Sequence, residues 1–156
     1  MAKVKFKIEG MDKLQKSLKK LGDVPQKHVT STSKKGMNIV KKDAKADAPY
    51  LSGDLKKGII LVGEQTKTKG KKVYRVVFDS AMNDVFQKPN KKDGKVTGYY
   101  PVSQEYGFFA KNGRYIPGYA FVRGALEKDA PAVEKTIVET MQKKIDAEIA
   151  KGGLKK

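Results

Sequence analysis

The sequence has no cysteine, so neither a disulfide nor a thiolate metal site is open to it. Its only histidine, His28, sits beside Lys27 outside any recognisable motif, and no carboxylates cluster to take over as metal ligands. General acid–base chemistry requires a partnered histidine or a sheltered carboxylate pair, so His28 reads better as a structural residue than as a catalytic one. No Gly-Lys-Ser or Gly-Lys-Thr follows a glycine at the distance a phosphate-binding loop needs. Long apolar runs are missing too: nothing approaches the about 18 residues of a membrane span. The opening MAKVKFKIEG alternates lysine with apolar residues instead of forming a signal-peptide core. Together these absences predict a soluble protein that is not an enzyme, holds no cofactor or metal, makes no membrane contact and is made in the cytoplasm.

Acidic residues are scarce, 17 against 34 Lys and Arg, which leaves a net charge of +17 distributed along the chain rather than gathered in a tail. Such an excess keeps a protein soluble and draws it to polyanions without selecting one. Only Arg75, Arg114 and Arg123 are arginine. Arginine reads bases and phosphates through a bidentate fork, so the dominance of lysine points to nonspecific electrostatics. At 156 residues and 38% hydrophobic content, the chain is expected to be one domain, 1–156, with a thin core.

Val4, Phe6 and Ile8 alternate with Lys3, Lys5 and Lys7, the period of two of a half-buried strand. Met11, Leu14, Leu18 and Leu21 then follow at helical spacing, with Gly22 placed as a C-cap. Val29, Met37, Val40, Ala44 and Ala48 predict a second, lysine-rich helix from about Gln26 that Pro49 stops. Ser52 is placed to cap a new turn, with Asp54 near its positive end. Residues 59–65 and 73–78 read as two strands of a hairpin whose tip and return strand carry Lys67, Lys69, Lys71, Lys72 and Arg75. That basic tip is either a solvated turn or a phosphate-contacting site, the first being somewhat favoured. Residues 83–98 read as a long exposed loop. The aromatic, glycine-rich stretch Tyr99–Tyr119 suits either a packed turn or a single-strand stacking platform, with the packed turn favoured. Val133, Ile137, Met141, Ile145 and Ile149 define a long final helix in which Pro131 is either an early residue or a break after a shorter helix at 121–128. Gly152 and Gly153 end it ahead of a frayed lysine tail, 152–156. The fold class is α+β: a small antiparallel sheet of the N-terminal strand plus hairpin, packed against amphipathic helices.

The order of these elements resembles the Z-like tail-completion or head–tail connector family of long-tailed phages. The resemblance rests on the stretch Phe6 to Leu21, on Ala48-Pro49, on Ser52-Gly53-Asp54-Leu55, on Glu105-Tyr106-Gly107, and on Phe121 through Ala125 and Leu126. The chain departs from the family pattern at Pro101 after Tyr100, at Phe108 after the Glu-aromatic-Gly turn, at Gly124 and in the loop at 83–98. What the resemblance implies is a structural subunit of the virion neck, a homo-oligomeric ring that meets other neck and tail proteins around the DNA channel. In such a ring Lys67, Lys69, Lys71, Lys72 and Arg75 would be the channel-facing candidates for nonspecific DNA contact. A tail terminator, which also forms a ring, is the nearest alternative. A nonspecific nucleic-acid-binding protein of the cytoplasm comes next, and a small nuclease last.

Overall fold

The computed structural model describes residues 11–68 and 70–151. The expected N-terminal strand and the lysine tail lie outside the described residues. The first element, α1 (Met11–Asp47), is one helix of 37 residues, where the spacing predicts two. Gly22 is not among the glycines of positive φ, so it propagates the helix instead of capping it, at about 1 kcal/mol relative to alanine. Helical backbone also continues through Pro25. Termination does come where expected: the Ala48 N–H still donates to the Ala44 carbonyl at 3.1 Å, and Pro49 then bars continuation.

A five-residue helix, α2 (Asp54–Gly58), follows Gly53, whose φ of 84° makes it the cap residue. Ser52, expected to cap this turn, stands one residue before the cap position, and its hydroxyl accepts from the Asp54 N–H at 3.4 Å. Its hydroxyl donates to Asp54 Oδ2 at 2.6 Å, a bond that holds the Asp54 carboxyl below its usual range. The strands β1 (Ile59–Gly63) and β2 (Tyr74–Phe78) form the expected hairpin, antiparallel, with Ile59 opposite Phe78 and Gly63 opposite Tyr74. Their β-branched residues suit a pleated, half-buried surface.

The exposed loop expected at 83–98 has regular structure instead. A 3-10 turn, Ser80–Met82, is capped by Asp79, whose carboxylate accepts from the Ala81 N–H at 3.0 Å. After it come α3 (Asn83–Phe86) and a short antiparallel hairpin, β3 (Gln87–Pro89) with β4 (Val96–Tyr99). Asn90 and Asp93 shape the connection by accepting from the backbone N–H groups two residues on, and Gly94 takes the left-handed conformation. Phe86 is fully buried at its root and anchors the hairpin that its polar neighbours disguise.

Next, α4 (Tyr100–Tyr106) leads into a third antiparallel hairpin, β5 (Gly107–Phe109) with β6 (Tyr115–Pro117), and then α5 (Phe121–Lys151). Helix α5 runs unbroken through Pro131. The class is therefore α+β, with a long C-terminal helix and, among the described residues, three separate two-stranded ladders.

Helices α1 and α5 pack antiparallel. Lys27 meets Glu148 at 2.9 Å, Lys144 donates to Ser31 at 2.7 Å, and Lys128 meets Asp43 at 3.3 Å. The Lys27 bond holds the Glu148 carboxyl below its usual range. His28 lies in the same seam, its Nε2 3.4 Å from Glu148. The helices approach most tightly at Gly36, where a Cβ would press on Ile137 and Val133. The core gathers Val40, Ala44, Ala48, Leu55, Ile59, Phe121 and Ala125. A chain of edge-to-face rings, Tyr99–Phe86–Phe78–Phe121 at 6.0–6.3 Å, ties the second hairpin to the first and both to α5. Each such pair contributes roughly 0.5–1.5 kcal/mol beyond area burial.

Two buried carboxylates behave in opposite ways. Glu105, 3% exposed, accepts from the N–H groups of Val122 and Arg123 at 2.9 and 3.0 Å, satisfying donors at the start of α5 that no residue within the helix can reach. Asp129, 6% exposed, interrupts the apolar row of α5 and, among the described residues, leaves Oδ2 without a hydrogen-bond partner. Burial, and then the neighbouring Asp43 carboxylate, push the Asp129 carboxyl up from its ordinary value.

Replacing Glu105 by alanine is expected to cost about 2 kcal/mol, seen as a melting temperature lower by ~4–8 °C; an unchanged melting curve would mean that water replaces the cap. The sign at Asp129 is reversed. The folded chain holds this proton at pH values where the unfolded chain has lost it, so stability falls as pH rises from the ordinary Asp range through the raised value. Asp129→Asn is expected to raise the melting temperature at pH 7 by ~2–4 °C and to gain nothing at pH 3. A variant that melts lower at pH 7 would show that the carboxylate is better accommodated than its burial indicates.

Candidate functional site

The basic hairpin tip lies against the middle of α1. The Gly70 N–H donates to the Gln26 side chain, the Tyr74 hydroxyl donates to the Thr30 carbonyl at 3.1 Å, and between helix and tip opens a polar cleft of about 440 Å³. Gln26, Thr30, Thr66, Lys67, Lys71 and Lys72 line it. The cleft exists because β1 and β2 diverge after Glu64–Val73, whose N–H and carbonyl bond at 2.9 Å. The returning segment is braced from within, the Thr66 hydroxyl donating to the Lys71 carbonyl at 2.6 Å.

The five cations singled out in the sequence are not equivalent. Arg75 is bound to Glu64 at 2.7 Å and stands on β2 away from the cleft lining. Lys72 is half-buried, donating to the Glu64 carbonyl at 2.6 Å with its ammonium 5.7 Å from the Tyr74 ring. Lys67 and Lys71 are exposed on the cleft and, among the described residues, form no ion pair. Lys69 lies outside the described residues. A phosphate brought to this cleft would meet two solvent-facing ammonium groups, a third held in place, and hydroxyl and amide donors.

A second surface is the β5–β6 hairpin, where the structure corrects the expected packed turn. Phe109 is 75% exposed, Tyr119 66% and Tyr106 58%, with Phe108, Tyr115 and Ile116 also exposed. The hairpin is nonetheless well anchored. The Tyr115 hydroxyl donates to the Tyr106 carbonyl at 2.5 Å, the Phe109 and Tyr115 rings lie 5.2 Å apart, and the Arg123 guanidinium sits 5.7 Å from the Tyr106 ring. Its turn is set by Gly113 at φ 79° and by Asn112, which accepts from the Arg114 N–H at 3.1 Å. Exposed apolar area of this kind, when contiguous, is a common feature of interaction surfaces.

Most of the residues that carried the family resemblance fall into two places. Leu55, Phe121 and Ala125 are core, with Pro49 and Gly53 shaping the turn between α1 and α2. Glu105, Tyr106 and Gly107 form the joint between α4, the aromatic hairpin and α5, and only glycine fits at 107, since φ is 88° and a Cβ would collide with the Ile116 carbonyl. Leu126 is 49% exposed and lines an apolar groove beside β2. The structure does not bring the aromatic hairpin and the basic cleft into one site: the cleft faces Gln26–Thr30 of α1, and the hairpin leaves the opposite end of the helix pair, where α5 begins. Sequence reading missed the second and third hairpins, although Asp93-Gly94 and Asn112-Gly113 are turn dipeptides that announce them.

No curated protein and no solved structure matches this chain. A family model does match, over residues 12–100, from the start of α1 to the start of α4. Its span takes in the α1–α2 turn, the basic hairpin and the second hairpin, and it stops short of the Glu105 joint and α5. With more than half of its length matched, the chain belongs to the phage tail-component family described as "Bacteriophage HK97-gp10, putative tail-component".

Proposed function

We propose that this tail component is a neck subunit, a head–tail connector or tail-completion protein, that joins a closed ring of its own copies around the DNA channel and acts by assembly rather than catalysis. Family membership supports a role among tail proteins. The observation that carries the channel reading is the cleft between α1 and the hairpin tip, where Lys67 and Lys71 face solvent beside Lys72. Lysine at such a cleft gives favourable contact to a passing duplex without reading its sequence, as a channel lining requires. The aromatic hairpin, far from this cleft, is the complementary feature: it offers apolar area to a neighbouring copy or to another neck or tail protein. In a ring, each copy presents one surface to the copy ahead and a different one to the copy behind.

The test is Lys67→Gln/Lys71→Gln, which leaves the braced Lys72 in place. If both lysines meet phosphates, the logarithmic salt dependence of duplex binding should become shallower by about 2, at roughly 0.9 per phosphate contact, while light scattering shows unchanged assembly and mutant virions lose DNA more readily. Unchanged salt dependence and DNA retention would remove this cleft from the channel. Tight, salt-sensitive duplex binding by a monomer that never assembles would favour a nucleic-acid-binding protein instead.

A further inference from the structure

The β1–β2 ladder has two strands, each with a single neighbour among the described residues. A two-stranded ladder is marginal by itself, and a strand edge with unpaired backbone groups invites another strand. Beside β2 runs a groove of about 250 Å³ lined by Tyr74, Arg75, Val76 and Val77, with Met37 and Val40 of α1 and Val122 and Leu126 of α5. Successive residues of a strand point to opposite faces, so a wall made of four consecutive β2 residues is the edge of that strand rather than one of its faces. The groove therefore has the form of a third strand's seat, with apolar walls toward the helices and solvent on the other side.

One segment of the chain has the matching pattern. Val4, Phe6 and Ile8 alternate with Lys3, Lys5 and Lys7, apolar toward one side and charged toward the other. Chain reach then decides which copy supplies it. The helix α1 begins at Met11, and Met37, on the groove wall, stands 26 residues further along, about 39 Å at 1.5 Å per residue. The near end of the groove, Tyr74 beside Thr30, is still about 28 Å from Met11 along the helix, whereas with Val4–Ile8 seated in the groove the link from Ile8 to Met11 spans about 10 Å at most. The segment cannot lie along β2 of its own chain.

We propose that residues 3–8 add as a third strand to β2 of a neighbouring copy, with Val4, Phe6 and Ile8 against Met37, Val40, Val122 and Leu126, and the lysines facing solvent. The inference rests on the reading that copies assemble, and it supplies the contact that links them head to tail. Each copy donates an arm and receives one, so the contact is heterologous and propagates around a closed ring.

The absence of native cysteine allows a direct test on the full chain. Chains carrying only Lys5→Cys or only Lys7→Cys, on the solvent side of the added strand, are mixed with size-tagged chains carrying only Val77→Cys and oxidised, and mixed disulfides are read on a non-reducing gel. Chains carrying Lys143→Cys, on α5, in place of Val77→Cys are the control. Seating in trans should give a mixed disulfide at least ~10-fold above that control, because docking raises the local thiol concentration far above the bulk value. The double variants Lys5→Cys/Val77→Cys and Lys7→Cys/Val77→Cys should form interchain ladders. A monomeric product with an internal disulfide would overturn the proposal in favour of a segment seated on its own chain. Assembly by light scattering without any such disulfide would overturn it while leaving the ring reading intact, and a chain that neither assembles nor cross-links would end both. A mixed disulfide from Phe109→Cys but not from Lys5→Cys or Lys7→Cys would give the groove to the neighbour's aromatic hairpin and overturn this assignment.

Discussion

Helix α5 starts inside the protein, with Phe121 buried at its first turn, and a helix start leaves backbone N–H groups that no residue within the helix can satisfy. The Glu105 carboxylate, reaching across from α4, takes those of Val122 and Arg123. The backbone reinforces the same joint: the N–H groups of Tyr119 and Ala120 donate to the carbonyls of Gln104 and Glu105 at 2.7 and 3.0 Å. Gly107 and Gly118 approach so closely that a Cβ on either would strike backbone, and Ala120 accepts the left-handed conformation at φ 51°, at roughly 1–2 kcal/mol. The end of α4, the root of the aromatic hairpin and the start of α5 are thus one construction, and the α1–α5 pair that carries the rest depends on it.

Along that pair the molecule divides its surface by chemistry. The first hairpin lies lengthwise on α1, its root in the core through Ile59 and its tip beside Gln26 and Thr30. The third hairpin leaves from the Glu105 joint at the other end. A basic cleft and an aromatic protrusion are therefore held apart by the rigid length of two helices. Under the proposed function, such an arrangement would let one region attend to a polyanion while another engages protein. The two demands would conflict on one patch, because charges near an apolar contact must be desolvated when it closes.

Electrostatics within the scaffold are less settled than its packing. The ion pairs that flank the α1–α5 seam are exposed and individually worth little. Asp129, by contrast, sits where the apolar row of α5 would place a hydrophobic side chain, facing Asp43, and Lys128 relieves only part of this: its ammonium is shifted up by Asp43 and then Asp47. That seam keeps a titratable group where packing alone would not place one.

Much of this architecture was legible in the sequence. The row from Val133 to Ile149 set the final helix, Pro49 the end of α1, and the β-branched runs at 59–65 and 73–78 the first hairpin, since periodicity and backbone restriction act locally and need no partner to operate. The family resemblance picked out Glu105-Tyr106-Gly107 as a unit, while nothing local states that the carboxylate reaches a helix 17 residues on. The continuity of α1 through Gly22 was misread because glycine is strong local punctuation, and local signals do not record what surrounds the helix. Residues 83–98 were misread because lysines and glycines outnumber Phe86, the residue whose burial organises them. Composition, period and turn chemistry thus determined the final helix, the end of α1, the first hairpin and how charge is distributed. Tertiary structure alone decided which cations stay free, since Glu64 claims Arg75 and Lys72, and which aromatics face solvent, since hydrogen bonds and packing across the chain set side-chain exposure.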